Sequence, residues 1–127
     1  LGEEFSCQLA PHCRRLVLVA RRENKLELLR KRLLAENEGL EVAIYGVDLT
    51  CPDAREELLG EVANSDWSPS LLVNNAGLAQ GLKPAQEADL DDWQTMIDTN
   101  VTAMVRLTRK LLPKLIERRG AITNGAP

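Results

Sequence analysis

Short apolar runs alternate with amphipathic stretches along this chain. Residues 16–20, Leu-Val-Leu-Val-Ala, are continuously apolar, the pattern of a strand buried on both faces. Leu26, Leu29 and Leu33 then recur at helical spacing, which predicts an amphipathic helix stopped by Gly39. A second strand, rich in β-branched residues, is expected over 41–49. Thr50 with Asp53 three residues on has the form of a capping box, and Pro52 suits a first helical turn, so a helix follows. The polar stretch 64–70 leads into a third strand over 71–74, and 79–88 read as a loop with Gly81 and Pro84. A long helix is predicted from Asp89, with Trp93, Met96, Ile97, Val101, Met104, Leu107 and Leu111 as one apolar stripe. Pro113 is expected to kink or end it. Residues 3–10 read as the end of a helix that Pro11 breaks, and Gly-Ala-Ile-Thr at 120–123 is a candidate last strand. The order α, β, α, β, α, β, α and then β is that of a parallel sheet in an α/β fold.

Composition narrows the function. A chain of 127 residues fits one domain, and 44% hydrophobic with 28% charged residues is a globular balance. A net charge of -3 argues against a general nucleic-acid binder, which needs a basic surface. No apolar run approaches the roughly 20 residues of a membrane span. Cys7, Cys13 and Cys51 lack metal-ligand spacing and fit reduced thiols, so no metal site and a cytoplasmic location are expected.

In parallel α/β sheets, ligands bind beyond the carboxyl ends of the strands. Arg21 and Arg22 follow the first strand, Asp48 the second, and Asn74-Asn75-Ala76-Gly77 the third. Guanidinium groups match phosphate in charge and geometry. Where an acid at this place favours the ribose hydroxyl of NAD, arginine accommodates the 2′-phosphate of NADP. Asp48 can accept from an amino-bearing ring, or equally from its own turn. Asn75-Ala76-Gly77 form a narrow ledge for a ribose or flat ring, or a tight loop without a ligand. Singly, the turn readings suffice; together at successive strand ends, the ligand reading is preferred. Asn100 is a polar residue on the apolar stripe of the long helix. Either it satisfies a structural hydrogen bond or it belongs to a polar relay.

The segments "VARRENKL", "VDLT", "LVNNAG" and "DLDDWQTMIDTNV" together resemble the classical short-chain dehydrogenase/reductase family over essentially the whole chain. The stretch from Asn74 to Asn100 looks most like the NADP-dependent 3-hydroxy acid dehydrogenases acting on L-allo-threonine and serine. The resemblance implies a doubly wound Rossmann-type parallel sheet, with residues 1–127 as a partial NAD(P)-binding domain. It implies Arg21 and Arg22 on the 2′-phosphate of NADP, Asp48 and Leu49 on the adenine, and Asn75, Ala76 and Gly77 along the nicotinamide-side ribose. Gly2 would be the tail of the glycine-rich loop at the pyrophosphate. Asn100 would be the helix asparagine of the catalytic tetrad, holding a water of the proton relay. The reaction implied is hydride transfer between NADP(H), rather than NAD(H), and a small carbonyl or hydroxy-acid substrate, in a homodimer or homotetramer built through the long helix.

The sequence also departs from the family. Of the T-G-x-x-x-G-x-G loop only Leu1-Gly2 matches, and Pro127 stands where the catalytic serine belongs. There is no Tyr-x-x-x-Lys: the one tyrosine, Tyr45, has Leu49 four residues on. The expectation is therefore an internal segment of an oxidoreductase, without its first strand and C-terminal part and inactive alone. The alternatives are a non-catalytic dinucleotide-binding module and a truncated product without activity. The missing strand would lie between those beginning at Leu16 and Leu71, so both are expected to present open edges.

Overall fold

The computed structural model describes residues 2–66, 68–77, 81 and 83–125. Helix α1 (Gly2–Leu9) and a 3₁₀ turn (Ala10–His12) precede strand β1 (Arg15–Ala20). There follow α2 (Glu23–Glu36), β2 (Glu41–Gly46), α3 (Pro52–Asn64) and β3 (Leu71–Asn74). The rest is a 3₁₀ turn (Ala85–Glu87), α4 (Leu90–Ile97), a π-helical turn (Asp98–Thr102), α5 (Ala103–Glu117) and β4 (Ala121–Asn124). The expected loop over 79–88 falls partly on 79, 80 and 82, which lie outside the described residues, as do Leu1 and Pro127. Among the described residues no helix is long and apolar enough to cross a membrane.

All strand pairing is parallel. β1 pairs with β2, Leu18 opposite Ile44, and β3 pairs with β4, Val73 opposite Thr123. No ladder joins the two pairs among the described residues. Each pair has its own core. Leu18 of β1 packs with Leu26 and Leu33 of α2, Leu40 and Ala10. Leu59 of α3 packs with Leu111 and Leu115 of α5, with Leu72 of β3 against them. A buried leucine contributes about 1.5–3 kcal/mol, whereas a two-stranded ladder alone is marginal in water. The helices therefore hold the strands.

Local chemistry corrects several expectations. α2 ends before Gly39: Asn37 closes it, its backbone N–H and side-chain Nδ2 each donating to Leu33 O at 3.0 Å. Gly39, at φ +80°, makes the turn that follows. β2 stops at Gly46 rather than running to 49, because the chain turns there and Cys51 N–H donates to Asp48 O at 3.0 Å. Thr50 does not cap α3. Its hydroxyl donates to Asp48 Oδ1 at 2.6 Å, which leaves Cys51 at the cap without a side-chain bond. Pro52 does sit in the first turn as expected. Pro113 does not end α5, which runs on to Glu117. Pro113 and Arg109 are both exposed, so the carbonyl that loses its donor is on the watered side.

The stripe of the long helix divides. Leu107 and Leu111 join the core, but Trp93, Ile97, Val101 and Val105 are 41–52% exposed. These four are spaced by four residues. In an α-helix that spacing drifts by about 40° per step, and the wider π-helical turn between them takes part of the drift back. They line one outer face.

Candidate functional site

β1 and β2 run in the same direction and end together, Ala20 opposite Gly46. Val47 N–H donates to Ala20 O at 2.9 Å and carries the pairing one residue further. Arg21 and Arg22 therefore emerge beside the 48–51 turn. Both arginines are exposed, and among the described residues neither forms an ion pair within 4.0 Å. The backbone of Arg22 caps α2. Asp48 Oδ1 accepts from Thr50 Oγ1 at 2.6 Å and from Thr50 N–H at 2.9 Å. These bonds, with a smaller contribution from the Arg21 charge, hold the Asp48 carboxyl below its ordinary value of 3.8, against a partial opposing effect of burial. So Oδ1 of Asp48 works on its own turn, as asparagines and aspartates at turns do.

At the end of β3 the two asparagines separate in role. Asn74 is 8% exposed, and its Nδ2 donates to Asn124 Oδ1 at 2.8 Å and to Thr108 Oγ1 at 3.3 Å. Gly125 N–H donates to Asn74 O at 2.8 Å. Asn74 thus ties β3 to β4 and α5. Asn75 is half-buried and faces glycines on two sides. A Cβ at Gly2 would lie 2.8 Å from Asn75 Nδ2, and one at Gly125 would lie 3.3 Å from Asn75 Oδ1. The N-terminus of α1 abuts this strand end only because residue 2 has no side chain. Glu3 and Glu4 occupy the first turn of α1, where carboxylates favour the helix dipole, and Glu3 pairs with Arg32 at 3.3 Å. Ala76 and Gly77 follow, exposed.

The structure thus joins Gly2 to Asn75, and Arg21 to Asp48. Asn100 stands apart in sequence and element, half-buried in the π-helical turn. Such turns are uncommon and concentrate at functional places. Leu49 is half-buried, and its carbonyl accepts from Arg55 Nη1 at 3.0 Å. Arg55 is a residue the sequence reading passed over. It is 5% exposed, on the same face of α3 as the buried Leu58 and Leu59. Its spacing of three and four residues ahead of them was the available signal.

The arrangement suits a dinucleotide. Two exposed guanidiniums at a strand end, without ion-pair partners among the described residues, fit a phosphate, and Gly2 and Gly125 let backbone lie against the Asn75 side chain at the end of β3. Known proteins resemble this chain over most of its length. The family model for short chain dehydrogenase matches residues 1–125. Serine 3-dehydrogenase of Rhizobium radiobacter is 44% identical over 96 residues, covering 74% of this chain and 39% of that protein. NADP-dependent 3-hydroxy acid dehydrogenase YdfG of Salmonella typhi is 36% identical over 124 residues, covering 97% of this chain and 48% of that protein. The alcohol dehydrogenase from the archaeon Thermococcus sibiricus, solved with 5-hydroxy-NADP, superposes with a TM-score of 0.88 at 27% identity, covering 97% of this chain and 52% of that one. The chain spans less than half the length of the two curated relatives.

Proposed function

The chain belongs to the short-chain dehydrogenase family, and from that premise we propose that it forms the cofactor-holding part of an NADP(H)-dependent oxidoreductase. The observation that carries this reading is the pair Arg21 and Arg22, exposed and without ion-pair partners among the described residues, beside the Asp48 turn. Arg21 and Arg22 bind the 2′-phosphate of the cofactor. Asp48 and Leu49 border its adenine, Asn75, Ala76 and Gly77 line the nicotinamide-side ribose, and Gly2 lets the backbone approach the pyrophosphate. When bound, the nicotinamide supplies or accepts the hydride exchanged with a small carbonyl or hydroxy-acid substrate. NADP dependence in the name of one relative, and the NADP derivative in one solved neighbour, support the choice of cofactor.

What these residues do is bind and orient. Asn100 is assigned a proton-relay role through the π-helical turn, as a positioning group for water. The one tyrosine, Tyr45, has Leu49 four residues on and lies within β2, where it borders a cavity of about 190 Å³ with Val17 of β1 and Val62 of α3. A second copy of the protein is assigned to the exposed face of α4 and α5.

Replacing Arg21 and Arg22 together with alanine in the full-length protein tests the central claim. NADPH binding is expected to weaken about 10- to 100-fold, the loss of charge-assisted phosphate contacts, with NADH binding changed by less than about threefold. Titration of both cofactors by nicotinamide fluorescence reads it out. Equal loss for the two would refute the assignment.

A further inference from the structure

One buried charge has no place in the account above. Arg55 is almost wholly covered by protein, yet no carboxylate pairs with it among the described residues. Its Nε has no hydrogen-bond partner there, and its one bond is from Nη1 to Leu49 O. Burying a guanidinium on such terms is costly. Leucine at this face of α3 would pack without that cost, as Leu58 and Leu59 do.

The compensation lies in the peptide unit between Leu49 and Thr50. Its carbonyl accepts from Arg55 Nη1 at 3.0 Å, and its N–H donates to Asp48 Oδ1 at 2.9 Å. A cation holds the negative end of this dipole and an anion the positive end. Both charges are anchored, Asp48 also by Thr50 Oγ1 and Arg55 by its place on α3. Charge-assisted bonds of this kind are about twice as strong as neutral ones. On the preceding peptide, the Asp48 carbonyl accepts from Cys51 N–H at 3.0 Å, and the Leu49 N–H has no partner among the described residues. It lies three residues past the end of β2, at the strand end assigned above to the adenine.

We propose that Arg55 is a positioning residue for the adenine end of the cofactor, acting from below through the Leu49–Thr50 peptide. This rests on the cofactor reading given above, and it adds a residue that touches neither the cofactor nor the substrate. The adenine is common to NADPH and NADH, so Arg55 sets affinity for both, whereas Arg21 and Arg22 select between them.

The test compares Arg55→Met, Arg55→Lys and the Arg21/Arg22 double alanine variant in the full-length protein. Amide exchange is first measured without cofactor, by mass spectrometry of the segment 47–51. In R55M it is expected to rise about tenfold, the loss of one charged hydrogen bond. The dissociation constants of NADPH and of NADH are expected to rise together by about tenfold, while the KM for the carbonyl substrate stays within about twofold. R55K, which keeps the cation, is expected to lie nearer the wild type; equality with R55M would overturn the role of the charge. Faster exchange with unchanged cofactor binding would make Arg55 a purely structural residue and overturn the proposal. If R55M weakens both cofactors while the double alanine variant does not discriminate, Arg55 stands and the 2′-phosphate assignment falls. If no variant weakens either cofactor, both readings fall. Arg55→Gln takes the place of R55M, with the same outcomes, if R55M does not stay folded at the assay temperature.

Discussion

Asn74 and Asn75 show how far two adjacent identical residues can diverge in physical role. Asn74 is buried, so its amide must be satisfied, and it bonds to one residue of β4 and one of α5. Asn75 points to the glycine-lined end of the sheet. Asp48 invites a sharper test, because its ionisation is coupled to the turn it closes. Its carboxyl lies below its ordinary value of 3.8, chiefly through Thr50. A depressed acid contributes stability that is fully present above the ordinary value and is lost as pH falls through the folded value. Asp48 is exposed, so screening keeps that contribution below about 1 kcal/mol. Asp48→Asn in the full-length protein is therefore expected to be slightly less stable than wild type at neutral pH. The gap should begin to close as pH falls below the ordinary value of 3.8 and vanish once pH is below the lowered folded value. Urea unfolding of both proteins across that range measures it, and a gap independent of pH would show that Thr50 does not depend on the charge.

At the scale of elements, legibility followed how many residues carried one signal. β1 and α2 were readable because a continuous apolar run and three leucines at helical spacing each repeat one message. Single residues with two possible partners were misread. Thr50 had a choice between capping α3 and bonding Asp48, and the nearer carboxylate took it. Pro113 does not end α5, which runs on to Glu117, and Arg109, whose carbonyl loses its donor, is exposed. Arg55 went unnoticed, since nothing in its type marks it as buried. The π-helical turn was invisible because no residue type encodes one extra residue in a turn, and it changed which side chains of α4 and α5 face outward. Ile97, Val101 and Val105, 48–52% exposed, line a face that a second copy is proposed to cover. Ile97→Glu with Val101→Glu is expected to shift the full-length protein to a lower oligomeric state, measured by light scattering after size exclusion. Charged side chains on an already exposed face should change monomer stability by less than about 1 kcal/mol. An unchanged molar mass would remove that face from the interface.

For the whole molecule, surface area decides the matter. The 14.1 kDa chain exposes 8774 Å². A compact monomer of that mass exposes about 6,700 Å², so the excess is about 2,000 Å², the size of a full protein–protein interface. The excess has a visible origin. The chain has two separate two-stranded sheets, each with an edge of β1 or β3 that pairs with nothing among the described residues. Val17 on β1, Leu71 on β3 and Ile122 on β4 are 36–40% exposed. Open strand edges beside apolar surface are templates for association. Residues 1–127 expressed alone are therefore expected to give no cooperative thermal transition by circular dichroism, to elute as aggregates and to oxidise no NADPH. Within a longer chain that pairs those edges and covers that apolar surface, the same residues should melt in a single transition. A sharp melt of monomeric residues 1–127 would mean that the helices alone carry the fold, and that the open edges cost far less than their area implies.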